Sequence, residues 1–457
     1  MSKLSVANQS ESGEKIEEKQ VGDILVKTIR SANGNLKKIL YYKSGLICRE
    51  DDPAVTNFRE DGTKESETYY RNGKLYRENG PTVVNFYPNG QKKSEIYYSP
   101  DGKIHRIDGP AVTNFYETED KNNKSDEQYY ENSLFKNRGG EPNAVLFDKN
   151  GRISVRAWKN ENGEYHRDNE PAMYTYYPSG KLHTIQYYKN NKLHRINGPA
   201  TQTFDENGTK TSESYNTESD TREHVIDFYP SGIMKEEEWR NDAKVHKVDG
   251  PAAKSYYPSG ELKSEGWVFN GVITRANGPA VTDFYENGSI ELEEWMIDGI
   301  TTRDNGPAIT RFYENGSVKE EEWIFNGVVT RVDGPAITRF YGNGSVEEEE
   351  WILNDITTRD NGPAVTNWFA NGNISCETYF INGVRHRAND LPSIISYSEQ
   401  INGRVIREDW THDNAHTRIN NQPGIAKYDE HTGICTFEYC PCQLAGNDAN
   451  RNADHNF

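Results

Sequence analysis

The sequence is poor in aliphatic residues and cysteine, carries a deficit of positive charge and has no long apolar run. Only 33% of its 457 residues are hydrophobic, and the mean hydropathy is -0.94, which excludes the single large dry core that a chain of this length would otherwise build. No stretch approaches the ~18 consecutive apolar residues of a membrane-spanning helix. The polar segment from Met1 to Gln20 lacks the apolar centre of a secretory signal. The five cysteines, Cys48, Cys376, Cys435, Cys440 and Cys442, are too few and too unevenly placed for a disulfide framework. Lys plus Arg number 53 against 71 Asp plus Glu, giving a formal net charge of -18, and no basic run exceeds Lys92-Lys93. Such a chain repels nucleic-acid phosphates and anionic headgroups, so nucleic acid is excluded as a partner and a membrane surface is disfavoured. Together these absences predict a soluble cytoplasmic protein.

What is present is aromatic and periodic. Tyr, Phe and Trp number 28, 16 and 8, too many for a disordered chain. Trp239, Trp267, Trp295, Trp323, Trp351 and Tyr379 recur every 28 residues, and the column extends forward to Trp410 and back to Tyr41. A Gly-Pro-Ala triplet moves in step with it, as at Gly278-Pro279, Gly306-Pro307 and Gly334-Pro335. Four residues after the Ala stands a second aromatic column, including Phe284, Phe312, Phe340 and Trp368. Four residues before the Pro stands a basic column, including Arg275, Arg303, Arg331 and Arg359. Repeats of this kind bury apolar surface in thin repeated layers.

Each unit holds two Asn-Gly-type steps between alternating runs, the strongest short-range signal for a hairpin with a type I′ turn. With Asn287-Gly288 as one turn, Tyr285 faces Ile290, Asp283 faces Leu292 and Ala280 faces Trp295. With Asp298-Gly299 as the next, Trp295 also faces Thr302 and Glu294 faces Arg303. The second alignment repeats as Glu322/Arg331, an opposite-charge pair worth roughly 0.2–1 kcal/mol. One strand then has nine residues and the next segment fifteen. The surplus falls at Gly306-Pro307, where a bulge or kink is expected because Pro has no amide to donate.

The expected fold is therefore all-β: tandem hairpins forming an elongated, twisted single-layer antiparallel sheet. Two strands per unit would advance roughly 10 Å. A β-solenoid with unequal sides is the structural alternative. About fourteen repeats cover 23–430, beginning with a hairpin that turns at Asn33-Gly34. Residues 1–22 read as a disordered tail. Residues 431–457 read as the last strand of a capping hairpin, centred on His431-Thr432-Gly433, and a polar Cys-containing tail. Polar insertions or deletions at Thr118–Lys124 and Thr217–Thr221 read as loops.

The pattern W-x-x-N-G-x-x-x-R-x-x-G-P-A followed by F-Y-x-N-G, cleanest from Gly250 to Ala364, resembles the MORN repeat. The longer form containing His105-Arg106-Ile107-Asp108-Gly109-Pro110-Ala111 is similar to repeats of giant DNA viruses of amoebae. The resemblance implies hairpin arrays acting as elongated scaffolds that recruit partner proteins, self-associate or sit at membranes, with no catalytic residue in the repeat.

Weighed by chemistry, the columns read as follows. Trp295, Phe284 and Ala280 share one face, so packing accounts for the aromatics. A single-layer sheet nevertheless leaves a face uncovered, and an exposed aromatic patch marks a partner site. Trp239, Trp267, Trp295, Trp323, Trp351, Phe284, Phe312, Phe340 and Trp368 are the candidates. The structural set is Gly278, Pro279, Gly306, Pro307, Gly334, Pro335, Glu294, Arg303, Glu322 and Arg331. The acidic runs Glu236–Glu238, Glu320–Glu322 and Glu347–Glu350 alternate faces of a strand, which does not give calcium its six to eight converging oxygens. Cys435, Cys440 and Cys442 lack the C-x2-C spacing of a zinc site. The histidines His105, His166, His194, His246 and His386 occupy one repeat position rather than a catalytic pairing. No catalytic residue, metal or cofactor is expected. The leading reading is a non-enzymatic scaffold for protein–protein interaction, with a viral structural or host-interaction role as its narrower form. A peripheral membrane protein and a carbohydrate-processing β-solenoid are the rivals.

Overall fold

The computed structural model describes residues 4–9, 13–118, 123–216, 222–411 and 422–438. The chain divides into two compact units, Met1–Gly232 and Ile233–Phe457. Every named element in both is a β-strand, and the neighbouring strands run antiparallel.

One repeat of the second unit shows how the sequence builds it. Val281–Phe284 and Ile290–Glu294 form a hairpin in which Val281 faces Glu294 and Asp283 faces Leu292. The second strand then pairs with Ile309–Phe312 of the next repeat, Glu294 facing Ile309 and Leu292 facing Arg311. Between these two main strands the chain leaves the sheet. Met296–Ile297 and Ile300–Thr301 make a separate two-residue ribbon, and Gly306-Pro307 returns the chain to the next main strand. The first unit repeats the plan, with Val55–Phe58, Lys64–Thr68 and Val83–Phe86 as main strands and Tyr70–Arg71 with Lys74–Leu75 as ribbon.

This side ribbon resolves the nine-against-fifteen mismatch. The nine-residue strand is a five-residue main strand plus one arm of the ribbon. The fifteen-residue segment is the other arm plus the next main strand. Gly-Pro-Ala is thus a crossover between two rows of strands rather than a bulge within one. The solenoid alternative falls with the antiparallel pairing.

The two turns differ. At Asp298-Gly299 both residues have positive φ, 50° and 78°, as a type I′ turn requires. At Asn287-Gly288 only the glycine does, at 84°. There the Gly288 amide donates to Tyr285 O at 2.9 Å and the Tyr285 amide to Ser289 O at 2.9 Å, a three-residue loop ending in a left-handed residue. The loop is one residue longer than a type I′ turn, and the ladder absorbs it as a bulge between Asp283 and Phe284. Ile290 consequently faces Phe284 and not Tyr285, while Asp283 still faces Leu292.

The ends bring one correction. Residues 1–22, expected to be a disordered tail, carry strands Leu4–Gln9 and Lys15–Val21. The apolar-rich strand Ile24–Arg30 accepts the second of them across a turn at Gly22, Val21 facing Ile24 and Lys15 facing Arg30. The hairpin turning at Asn33-Gly34 joins Ile24–Arg30 to Leu36–Lys43. At the other end Ile425–Tyr428 pairs with Cys435–Glu438 across His431-Thr432-Gly433. Residues 119–122 and 217–221, within the two interruptions, and Cys440 and Cys442 lie outside the described residues.

Candidate functional site

Burial along the array is concentrated in small side chains. Ala54, Ala111, Ala172, Ala200, Ala252, Ala280, Ala308, Ala336 and Ala364 are all 0% exposed, because the alanine after each Pro lies where the main strand meets the crossover. The Trp323 amide donates to Ala336 O at 2.7 Å and the Ala336 amide to Glu350 O at 2.8 Å, so the Ala336 backbone is held by strands on both sides.

Trp239, Trp267, Trp295, Trp323 and Trp351 are half-buried, and each is covered by the basic residue eight positions on. The guanidinium carbon lies 4.0 Å from the ring centroid for Arg275 on Trp267, 3.9 Å for Arg303 on Trp295, 3.8 Å for Arg331 on Trp323 and 3.9 Å for Arg359 on Trp351. The same stack runs from Arg49 on Tyr41 to Arg387 on Tyr379, with Lys247 taking the place on Trp239. Cation–π contacts of this kind contribute about 0.5–2 kcal/mol each, more as the cation is desolvated. Each guanidinium also donates to a carbonyl of its own crossover, Arg303 to Pro307 O at 3.1 Å and Arg331 to Pro335 O at 3.1 Å. Its other face rests on glycine. A Cβ at Gly306 would stand 2.8 Å from Arg303 Cζ, and one at Gly334 2.6 Å from Arg331 Cζ. In these repeats the arginine lies between an aromatic ring and a glycine; where Asp52 and Glu170 take the glycine's place, Arg49 and Arg167 keep their rings and pair with the carboxylate as well.

This corrects the expected pairing of Glu294 with Arg303 and of Glu322 with Arg331. The crossover swings the arginine over the ring, and its amide bonds to the following repeat, Arg303 N to Ile324 O at 3.2 Å. Glu294 instead accepts from Thr301 Oγ1 at 2.6 Å. Glu322 faces Ile309 and Ile337 across its two neighbours and has Arg311 at 3.8 Å. Burial pushes its carboxyl above the usual carboxylate range, Arg311 opposing that and Glu320 reinforcing it. A folded-state value raised above the unfolded one means that the ionised form is disfavoured by folding, at a cost present in full at neutral pH and removed as pH falls through the carboxylate range. Glu322→Gln should therefore leave stability at pH 7 equal or higher, within about 1 kcal/mol, with any gain shrinking toward pH 4. Urea titrations at both pH values check this; a clear loss at pH 7 would restore the ion pair with Arg331.

Glutamates of the acidic runs take opposite faces. On one face Glu320 and Glu348 enter a cross-strand ladder: Arg311 and Arg339 both donate to Glu320, Arg339 also donates to Glu348, and Glu348 accepts from Asn367 Nδ2 at 2.7 Å. In the repeats around Asn57 and Asn85 the same column is uncharged, Asn57 Nδ2 donating to Ser66 Oγ and Asn85 Nδ2 to Ser94 Oγ, both at 2.8 Å. Glu321 and Glu349 lie on the opposite face with Trp323 and Trp351, opposite Thr338 and Thr366.

Two sets of contacts carried no signal in the sequence. The tyrosine after the second aromatic column ties each repeat to the next, Tyr285 Oη donating to Phe312 O at 2.8 Å, Tyr313 Oη to Phe340 O at 2.7 Å and Tyr341 Oη to Trp368 O at 2.7 Å. In several repeats the residue before the basic column caps the following ribbon turn. Thr274 and Thr302 accept from the Asp298 and Asn326 amides at 3.1 and 3.0 Å, and His246 Nδ1 from the Asn270 amide at 3.1 Å. His166 does the same for the Asn190 amide at 3.3 Å, so these two histidines of the column serve as turn caps.

Three stretches, residues 82–99, 172–190 and 252–269, match the family described as the MORN repeat variant. The repeats are MORN-like. Each matched stretch begins beside the buried Ala or Thr and runs through the main hairpin, so the match covers the sheet hairpin and stops before the Arg and Gly-Pro of the crossover. No curated protein sequence matches the chain. Arrays of this kind are typically non-enzymatic scaffolds for protein or membrane interaction. In this MORN-like array no cluster of three metal-binding side chains is formed among the described residues.

Proposed function

We propose that the chain is a non-enzymatic scaffold that binds protein partners along its repeats. The observation that carries this reading is the recurrence of one surface. The same strand register, stacked aromatic and half-buried glutamate return every 28 residues from Gly250 to Ala364, so a partner meets equal contacts at equal intervals. The tryptophans named from the sequence act in this reading as the supports of that surface, and Phe284, Phe312, Phe340 and Trp368 as part of its contact area. A viral structural or host-interaction role is the narrower form, supported by the resemblance of the long Gly-Pro-Ala repeat to those of giant viruses.

Chemical cross-linking of the full chain in its native extract, read by mass spectrometry, should give protein adducts concentrated in the repeats. Recovery of small metabolites alone would overturn the reading. In a flotation assay with vesicles of phosphatidylserine and phosphatidylcholine the chain should stay in the dense fraction, because its charge of -18 opposes an anionic surface. Co-flotation would favour the membrane alternative.

A further inference from the structure

The glutamate that faces the aromatic side of each main strand is served by three kinds of donor. In the first unit its own strand supplies a lysine three residues earlier: Lys64 to Glu67 at 2.5 Å, Lys92 to Glu95 at 2.6 Å and Lys210 to Glu213 at 2.8 Å. Those ammonium groups also lie near the aromatic residue of the next strand, Lys64 being 5.4 Å from the Phe86 ring centroid and Lys210 4.3 Å from that of Phe228. A second donor is the tyrosine two residues later, as in Tyr129 Oη to Glu127 at 3.3 Å and Tyr215 Oη to Glu213 at 3.0 Å. A third is a tyrosine on the next strand, as in Tyr256 Oη to Glu237 at 2.7 Å and Tyr428 Oη to Glu408 at 2.6 Å.

Four consecutive repeats, those of Glu265, Glu293, Glu321 and Glu349, have lost all of them. Glu265 still faces Lys254 across its hairpin, whereas the other three face Thr282, Thr310 and Thr338. Around Glu293, Glu321 and Glu349 the lysine position holds Ile290, Val318 and Val346. The tyrosine two residues later has become Trp295, Trp323 and Trp351, and the next-strand tyrosine Phe312, Phe340 and Trp368. The register is unchanged: Glu293 faces Thr310, Glu321 faces Thr338 and Glu349 faces Thr366, two residues before the aromatic in each case. The nearby arginines are already committed to the tryptophan rings and the proline carbonyls. Each of these three repeats therefore presents a half-buried carboxylate beside an aromatic ring, in the geometry that elsewhere in this chain holds a lysine ammonium.

We infer that Glu293, Glu321 and Glu349, each with the aromatic ring of the following strand, are a row of receptors for lysine side chains of an extended partner segment. The inference rests on the scaffold reading and names the partner's chemistry. Successive glutamates are two strands apart, roughly 10 Å. A polyproline II segment rises about 3.1 Å per residue with three residues per turn, so a lysine at every third position lands on one face at ~9.3 Å intervals and meets each receptor in turn. A carboxylate and a ring face together favour an ammonium over a neutral group.

The test is fluorescence anisotropy of the full chain with two labelled nonapeptides of equal composition and charge. The spaced peptide consists of three successive Lys-Pro-Pro triplets. The clustered peptide carries its three lysines consecutively, between two blocks of three prolines. The spaced peptide should bind at least tenfold more tightly. The triple variant E293Q/E321Q/E349Q should weaken the spaced peptide at least tenfold and leave the clustered one unchanged. The triple variant I290K/V318K/V346K restores the arrangement of Lys64, Lys92 and Lys210 and should also abolish the preference, by filling each receptor from within. Circular dichroism melts establish that both variants are folded. Equal affinity for the two peptides, or an unchanged preference in either folded variant, would overturn the inference. Should the peptides fail while cross-linking to proteins persists in E293Q/E321Q/E349Q, this inference fails and the scaffold reading stands.

Discussion

Trp323→Ala should lower the stability of the repeats around it by about 3 kcal/mol, the lower end of the range for removing a large aromatic because the ring is half-buried. The loss has two parts: the ring's own burial, and the support it gives Arg331, whose guanidinium lies 3.8 Å from the ring centroid. Repeat arrays are held by nearest-neighbour interfaces, so the damage should be local. Amide hydrogen exchange should quicken at Val328–Val329 and Ile337–Phe340, while the first unit keeps its protection. Urea unfolding followed by circular dichroism supplies the free energy. A loss under about 1 kcal/mol would show that the column is not structural and would return the tryptophan faces to the list of partner contacts.

The second large effect is expected at a glycine. Gly334→Ala places a methyl carbon 2.6 Å from Arg331 Cζ, and Gly334 is buried. The guanidinium must then shift on the Trp323 ring and away from the Pro335 carbonyl, at a cost of up to about 2 kcal/mol, the value for losing both a partly desolvated cation–π contact and its hydrogen bond. The mechanism is separable from ordinary backbone strain by a double-mutant cycle. With Arg331→Ala in place the methyl meets empty space, so Gly334→Ala should then cost well under about 1 kcal/mol. Additive effects of the two substitutions, measured by urea titration, would disprove the sandwich.

Much of this was readable in advance, for definable reasons. Asn-Gly and Asp-Gly steps announce turns because few residues tolerate positive φ, and the buried alanine column marks the one place where two strand rows approach closely. The register was half legible. Asp283 facing Leu292 follows from counting back from the turn, but the bulge beside Phe284 depends on which loop Asn287-Gly288 adopts, and both loops favour that dipeptide. The role of Arg303 was hidden for a different reason. Counting across Asp298-Gly299 places it opposite Glu294 only if the hairpin continues flat, and Gly306-Pro307 turns the chain out of that plane. The Tyr313 hydroxyl finds its acceptor on Phe340, in the following repeat, a distance over which local pattern gives no guidance. The unserved glutamates were visible only against their counterparts: Glu321 means little until Lys64 and Tyr256 show what the same position normally holds.

The bonds from a tyrosine hydroxyl to a backbone carbonyl of the next repeat share one direction along the chain, from Tyr257 to Phe284, from Tyr285 to Phe312 and onward to Trp368. Each repeat is thus a donor to its successor and an acceptor from its predecessor, and the array has a grammatical direction that its near-identical units conceal. A gene duplication that inserts one whole 28-residue copy between two repeats leaves every hydroxyl with a carbonyl and every arginine with its ring. An insertion within a unit is tolerated where both contacts survive it, as where Tyr116 still reaches Phe147 O, 31 residues on, and Arg167 still covers Trp158. The array can lengthen or shorten by whole units without being redesigned, which makes the number of lysine receptors a quantity that recombination can adjust.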